Sequence, residues 1–145
     1  MSIPADVMAD IERLCAEGDG HMEQGQLGEA YQSYMAALQR VPEPVEQHEA
    51  STWILAALGD LYFQAKDYGQ AVTVLSDAMH CPGAIGNPFI HLRLGQAQLE
   101  VGNEARAADE LSRAYMGGGG EIFDEDDPKY FAFLKTRLEA PAGGW

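Results

Sequence analysis

The 145-residue sequence predicts an all-α fold of three stacked helix pairs, closed by one further helix towards the C-terminal end. The main observation is a spacing that occurs three times: a glycine is followed by an alanine 12 residues later, and by a second alanine seven residues after the first. The glycines are Gly18, Gly59 and Gly95, and the residues four positions after the first alanines are Tyr34, Leu75 and Leu111. Small residues at these positions let two antiparallel helices approach closely beside one larger side chain. A single pair cannot bury its apolar face alone, so the pairs are expected to share a core.

The spacing resembles the signature of the tetratricopeptide-repeat family, in which a Leu-Gly pair and an aromatic residue are followed by alanine, a second aromatic residue and proline. The matching residues are Gly18, Ala30, Tyr34 and Pro42 in the first pair, Leu58, Gly59, Tyr62, Ala71 and Leu75 in the second, and Leu94, Gly95, Ala107 and Leu111 in the third. The resemblance implies a right-handed α-solenoid. Its pairs would lie at about residues 11–42, 45–81 and 88–116 of a single domain of residues 1–145.

The first two glycines are 41 residues apart, whereas the family repeat has about 34 residues. The excess is close to two turns of helix. A longer helix from Val45 to Ala65 is therefore predicted, with Pro42 and Pro44 ending the helix before it. The smaller excess before the third pair falls on the turn at residues 81–88, which is rich in glycine and proline.

The C-terminal part is predicted to close the third pair. Residues 117–120 are four glycines, which favour a flexible connector, and an acidic loop follows them. Asp127 before Pro128 is typical of a helix start. Tyr130, Leu134 and Leu138 then share one face of a capping helix at about residues 128–138, and repeat arrays need such a cap for solubility. Residues 140–145 are predicted to form a loose tail.

The composition limits the classes of partner. Nine lysines and arginines against 23 aspartates and glutamates give a formal charge of −14, which argues against nucleic acid and anionic membranes because phosphate binding depends on cationic side chains. No apolar run has the length of a membrane span, and the N-terminus lacks the features of a signal peptide. With only Cys15 and Cys81 as cysteines, these features favour the cytoplasm.

No motif predicts catalysis, a cofactor or a metal site. The four histidines stand apart, without the spacing of a zinc site. The glycine run lacks the lysine and hydroxyl residue of a phosphate-binding loop, and residues 124–127 lack the glycine and distal glutamate of a calcium loop. The chain is expected not to be an enzyme and to act through its surfaces.

In the family that the sequence resembles, the first helix of each pair lines the concave surface and contacts the partner. Carrying these positions over predicts an acidic surface on the first pair and an aromatic one on the next two. The predicted contact residues are Glu12, Asp19, Met22 and Glu23; Trp53, Asp60, Phe63 and Gln64; Phe89, Gln96 and Glu100; and, in the acidic loop, Asp124, Asp126 and Asp127. Large aromatic side chains often dominate binding energy, although Phe63 and Phe89 fit a role in the core equally well.

The charge of the predicted surface favours a basic partner. Residues 1–65 hold 11 acidic and 2 basic residues, and a negative wall speeds the encounter with a cationic protein. Co-chaperones of this repeat class hold a C-terminal carboxylate with lysine, arginine and asparagine. Cys15, Asp19, Ala56 and Asp60 at the corresponding positions cannot hold an anion, which argues against that function.

Three functions remain open. Residues 114–135 are similar to the terminal segment of short bacterial repeat proteins found beside polymorphic toxin genes, which implies an immunity protein that neutralises a toxin domain. The alternative is a chaperone of type III secretion, although such chaperones usually carry a longer helical region before the first pair. A generic scaffold is the third. The first two imply another protein as partner, either a toxin or a secreted effector, and we expect it to be basic.

Overall fold

The computed structural model describes residues 2–145, and every regular element in that part of the chain is helical. The seven α-helices are α1 (Ala5–Glu23), α2 (Leu27–Arg40), α3 (Glu49–Gln64), α4 (Tyr68–Ala78), α5 (Pro88–Glu100), α6 (Glu104–Gly118) and α7 (Lys129–Lys135). Short 3-10 turns at Val45–Gln47 and Gly120–Phe123 lie before α3 and after α6. Helices α1 to α6 form the three predicted pairs.

The chain divides into two compact units, the first ending at Ala84 and the second comprising Ile85–Trp145. The first unit contains α1 to α4, and its core includes Ile11, Tyr34, Ile54 and Leu58. The second unit contains α5 to α7. Its buried side chains include Leu94, Leu111, Phe123 and Leu134.

The three glycines of the repeated spacing lie at close helix contacts, as predicted. The facing residues are Tyr34 for Gly18, Leu75 for Gly59 and Leu111 for Gly95. A Cβ atom on Gly18 would lie 2.5 Å from the Tyr34 ring, and one on Gly95 would lie 2.7 Å from Leu111 Cγ. Non-bonded carbon atoms do not approach so closely, so glycine lets the two helices of each pair pack at this distance.

Gly18 and Gly20 form a matched pair for testing this contact, because a Cβ atom on Gly20 would meet nothing within 4 Å. We expect Gly18→Ala to lower the free energy of unfolding by about 1–3 kcal/mol through overpacking. Gly20→Ala should raise it by about 0.5–1 kcal/mol, because alanine favours helix over glycine. Urea unfolding followed by Trp53 fluorescence, in a Trp145→Phe background, measures both changes. Equal effects at the two positions would contradict the close contact.

The first helix begins earlier than predicted. Helix α1 starts at Ala5, whereas the resemblance to the repeat family begins at Ile11. Val7 and Met8 pack against the core of the first unit. Val7, Ile11 and Leu14 therefore continue one apolar face, which extends the helix by more than a turn.

The predicted long helix from Val45 to Ala65 is shorter in the structure and begins at Glu49. Residues Val45–Gln47 form a 3-10 turn, and His48 then adopts an extended backbone with φ −110° and ψ 134°. Ser51 Oγ donates a hydrogen bond of 2.6 Å to the Val45 carbonyl, which holds this turn against α3.

The glycine run is not the flexible connector that was predicted. Gly117 and Gly118 are the last residues of α6, and Gly119 caps the helix with a φ of +71°, which favours glycine. A Cβ atom on Gly117 would lie 3.3 Å from Pro88 Cβ, which shows that the end of α6 is packed against the start of α5.

Helix α7 starts at the predicted place and ends earlier than predicted. Asp127 Oδ1 accepts the backbone N–H of Lys129 at 2.9 Å, which is the expected role of an aspartate at a helix start. The helix ends at Lys135 rather than near residue 138. Tyr130 and Leu134 on its apolar face are buried.

The predicted loose tail at residues 140–145 is packed at Trp145. The Trp145 ring lies 5.4 Å from the Tyr115 ring and 5.7 Å from the Phe131 ring, in edge-to-face geometry. Aromatic rings at these distances attract one another. The aromatic side chains of α6 and α7 therefore hold the end of the chain against the second unit.

Candidate functional site

A cavity of about 260 Å³ in the first unit brings together three of the predicted contact residues, Glu12, Asp19 and Trp53. Its lining comprises Ile11, Glu12, Cys15, Ala16, Asp19, Tyr34, Trp53 and Ala57. The α1 residues recur at intervals of three or four and so share one helix face. Trp53 and Ala57 lie one turn apart on α3. The Trp53 side chain is 48% exposed, so this space, named here the Trp53 cavity, has an accessible aromatic wall.

The carboxylates of the Trp53 cavity form no ion pair with any residue among 2–145. The two arginines of the first 65 residues pair elsewhere: Arg13 with Asp10 and Glu17, and Arg40 with Asp10. At 100° per residue, Asp10 and Glu17 lie on the face of α1 opposite to Glu12 and Asp19. The cations therefore neutralise one face of α1 and leave the cavity face negative.

Asp19 is held in place by Tyr34, whose hydroxyl donates a hydrogen bond of 2.6 Å to Asp19 Oδ1. Burial, together with this hydrogen bond, raises the pKa of the Tyr34 phenol above its usual range. Burial and the charges of Asp19 and Glu12 also raise the pKa of the Cys15 thiol. The thiol is therefore uncharged at neutral pH, and the carboxylates supply the charge of the cavity.

Cys15 can report this charge. We expect Glu12→Gln and Asp19→Asn each to lower the pKa of Cys15, which increases its thiolate fraction and speeds alkylation by iodoacetamide at about pH 8. Glu17→Gln, on the opposite face of α1, is the matched control and should leave the rate unchanged. Mass spectrometry of the alkylated peptides measures the rate, with Cys81 as internal reference. An unchanged Cys15 rate in both cavity variants would contradict the charge distribution described above.

A second cavity of the first unit, of about 430 Å³, brings together Met22, Glu23, Asp60 and Gln64. Gln64 Nε2 donates a long hydrogen bond of 3.5 Å to Asp60 Oδ1. Phe63 lines neither cavity. It is half-buried, and its ring packs edge-to-face on Tyr68 at 5.5 Å, which links α3 to α4. Of the two roles open to Phe63, the structure therefore supports packing.

Four predicted contact residues of the second unit make internal contacts. Gln96 is fully buried, and its Nε2 donates to Asp126 Oδ2 at 3.0 Å. Asp126 also pairs with Arg93 at 3.3 Å. Glu100 forms an ion pair of 2.7 Å with the first residue of α7, and Asp127 caps that helix. The burial of Gln96 contradicts its predicted role as a partner contact. Asp126 and Glu100 link the acidic loop and α7 to α5, and the partner contacts predicted for Glu100, Asp126 and Asp127 stay predictions.

Phe89 and Asp124 line a separate cleft in the second unit. Phe89 is 70% exposed, which excludes the core role that the sequence left open. The other residues that line this cleft are Pro88, Gly118 at the end of α6, and residues of the segment that follows α6.

A buried pair in the second unit, His91 with Glu110, was not predicted from the sequence, and its side chains are 4% and 7% exposed. The backbone N–H of Gly86 donates to His91 Nε2 at 2.9 Å, so the ring proton is on Nδ1, which donates to Glu110 Oε2 at 2.6 Å. The sequence does contain a signal for this pair, because two polar residues replace apolar ones of another repeat. Counted from the repeat glycine and alanine, His91 and Glu110 stand where the second repeat has Leu55 and Val74.

Within residues 2–145 no three His, Cys, Asp or Glu side chains are grouped so that they could hold a metal ion. None of the helices described for this chain combines the length and the hydropathy that a membrane-spanning segment needs.

Comparison with known proteins identifies the fold. No protein-family model and no curated protein matches the chain. Among solved structures, the chain is similar to the C-terminal TPR-containing domain of a Plasmodium falciparum protein described as FK506-binding, with a TM-score of 0.69 and 16% identity. The alignment covers 90% of this chain and 87% of that one. The fold is that of a tetratricopeptide-repeat domain. This confirms the predicted all-α solenoid class, and at such low identity the likeness concerns the fold alone.

Proposed function

We propose that this tetratricopeptide-repeat chain is a protein-binding module that acts as an immunity protein, binding a basic cognate toxin domain and neutralising it. The Trp53 cavity is the main support for this proposal. There Glu12 and Asp19 form no ion pair with a described residue and lie beside a half-exposed indole. The similarity of residues 114–135 to the terminal segment of bacterial immunity proteins supports a toxin as the class of partner.

The Trp53 cavity suits an arginine or lysine side chain of the partner. A guanidinium group stacks on an indole with cation–π attraction, and its N–H groups donate to carboxylates in strong, charge-assisted hydrogen bonds. Because Tyr34 already fixes Asp19 through a hydrogen bond of 2.6 Å, less conformational entropy is lost on binding. The cavity therefore combines an apolar contact with a charge contact at one point.

The wider charge of the first pair favours the same partner. An acidic surface raises the rate of encounter with a basic protein and disfavours acidic ones. Many toxin domains that act on nucleic acids or nucleotides are basic at their substrate site. An acidic protein bound over such a site excludes the substrate, so neutralisation follows from occlusion.

Co-expression with the product of the neighbouring gene tests the proposal. We expect this product to stop growth when expressed alone, and we expect the chain described here to restore growth and to co-purify with a folded partner. A variant with Glu12→Lys and Asp19→Lys, checked for folding by circular dichroism, should lose both effects. A partner bound only as an unfolded segment would indicate a secretion chaperone and contradict an immunity function.

A further inference from the structure

We propose that the second unit carries a docking cleft of its own, which binds an extended segment of a basic protein through an apolar side chain next to a lysine or arginine. The cleft has a volume of about 560 Å³ and is lined by Pro88, Phe89, Gly118, Glu121, Ile122, Asp124 and Glu125. It is named the Phe89 cleft. The proposal does not depend on the Trp53 cavity or on an immunity function.

The apolar residues of the Phe89 cleft are accessible and closely packed. Phe89 lies in the first turn of α5 and is 70% exposed, so its ring is accessible to a partner. A Cβ atom on Gly118 would lie 2.9 Å from Ile122 Cδ1 and 3.4 Å from Pro88 Cβ. Glycine at this position therefore lets Ile122 and Pro88 come together beside Phe89.

Three acidic residues also line the Phe89 cleft, Glu121, Asp124 and Glu125, and their carboxylates form no ion pair and no side-chain hydrogen bond with residues 2–145. The cations of the second unit make contacts away from them: Arg93 with Asp126, Arg106 with Glu110, Arg113 with Asp109, Lys129 with Glu100, Arg137 with Glu104, and Lys135 over the Phe131 ring. The carboxylates that line the Phe89 cleft therefore keep their negative charge.

These features determine the chemistry of the occupant. Three carboxylates repel nucleic acid and acidic peptides, and they attract lysine or arginine. The amides at the start of α5 do not offset this, because Asn87 Oδ1 already accepts the N–H groups of Phe89 and Ile90. Beside the carboxylates, Phe89, Pro88 and Ile122 offer an apolar contact that a small cation cannot use. A protein segment with alternating apolar and cationic side chains can contact both the apolar residues and the carboxylates.

An NMR titration of the whole chain, with the isoleucine δ1 methyl groups labelled, tests this proposal. The δ1 methyl of Ile122 reports on the Phe89 cleft, and that of Ile11 reports on the Trp53 cavity. The probe is the peptide acetyl-Gly-Leu-Arg-Leu-Gly-amide, and the control peptide has glutamate in place of arginine. We expect the arginine peptide to shift the Ile122 signal to saturation and the glutamate peptide to leave it unchanged. The proposal is overturned if the arginine peptide does not shift the Ile122 signal, or if both peptides shift it equally. The Ile11 signal does not affect this result.

Two variants separate the apolar and the charge contributions. Phe89→Ala, and the double variant Asp124→Asn with Glu125→Gln, should each weaken binding of the arginine peptide by at least about tenfold. Both change exposed side chains, so the fold should be retained. Val101→Ala, which removes another exposed apolar side chain just after α5, is the matched control and should bind as the unmodified chain does. Unchanged affinity in the Phe89 variant would overturn the proposal.

Discussion

Replacing Trp53 with alanine is expected to weaken binding of the proposed toxin partner about 30-fold, which corresponds to about 2 kcal/mol. The indole is half-exposed at the Trp53 cavity, next to two carboxylates that no described cation neutralises. A partner that inserts a cationic side chain there would bury this ring and exclude water from the charge contact. Loss of the ring removes contacts that hold the complex together, so the change should appear mainly as faster dissociation.

Surface plasmon resonance with the co-purified partner measures this effect. Trp53→Phe keeps an aromatic ring and should lose less affinity than the alanine variant. Trp145→Phe is the control for tryptophan replacement as such, because Trp145 lies in the second unit against Tyr115 and Phe131. If Trp53→Ala dissociates no faster than the unmodified chain, the partner does not use the Trp53 cavity.

Glu110→Ala is expected to lower the free energy of unfolding of the second unit by about 2–4 kcal/mol. Glu110 accepts the Nδ1–H of His91 at 2.6 Å, and both side chains are almost fully buried. Removing the acceptor leaves a buried donor without a partner and also leaves space where the carboxylate was. Urea unfolding followed by Trp145 fluorescence, in a Trp53→Phe background, measures the loss.

A double replacement tests whether the pair stabilises the unit or costs stability only when broken. The variant with His91→Leu and Glu110→Val restores the apolar residue types that the second repeat has at Leu55 and Val74. Replacing both partners of a buried polar pair with apolar residues is often neutral or stabilising. We expect the double variant to be more stable than Glu110→Ala. A double variant that is less stable than the single one would show that the pair stabilises the unit by more than the hydrogen bond its two side chains provide for each other.

The helix pairs could be predicted from the sequence because their causes are local. Glycine and alanine at a fixed spacing mark the closest approach of two helices, and the facing residue follows four positions after the alanine. The structure shows this contact at Gly18 with Tyr34 and at Gly95 with Leu111. Helix starts were harder to predict, because Val7 extends α1 through packing and not through the repeat signature.

Glu12 and Asp19 could be placed together from the sequence, since residues seven apart share a helix face, and Trp53 on α3 was placed beside them through the resemblance to the repeat family. The side-chain contacts of the second unit were less predictable from the sequence. Asp126 bonds to Gln96 from 30 positions away in the sequence, and a loop that folds back over a helix leaves no periodic signal. The same holds for Trp145, whose contacts with Tyr115 and Phe131 depend on the path of an irregular segment.

The central claim, that the negative face of α1 binds a basic protein, is tested most directly by two double variants that remove equal charge. One has Glu12→Gln and Asp19→Asn on the cavity face, and the other has Asp10→Asn and Glu17→Gln on the face that the arginines neutralise. Titration calorimetry with the proposed toxin partner at low salt should show at least about tenfold weaker binding for the first and nearly unchanged binding for the second. Equal affinities for the two variants would contradict the account.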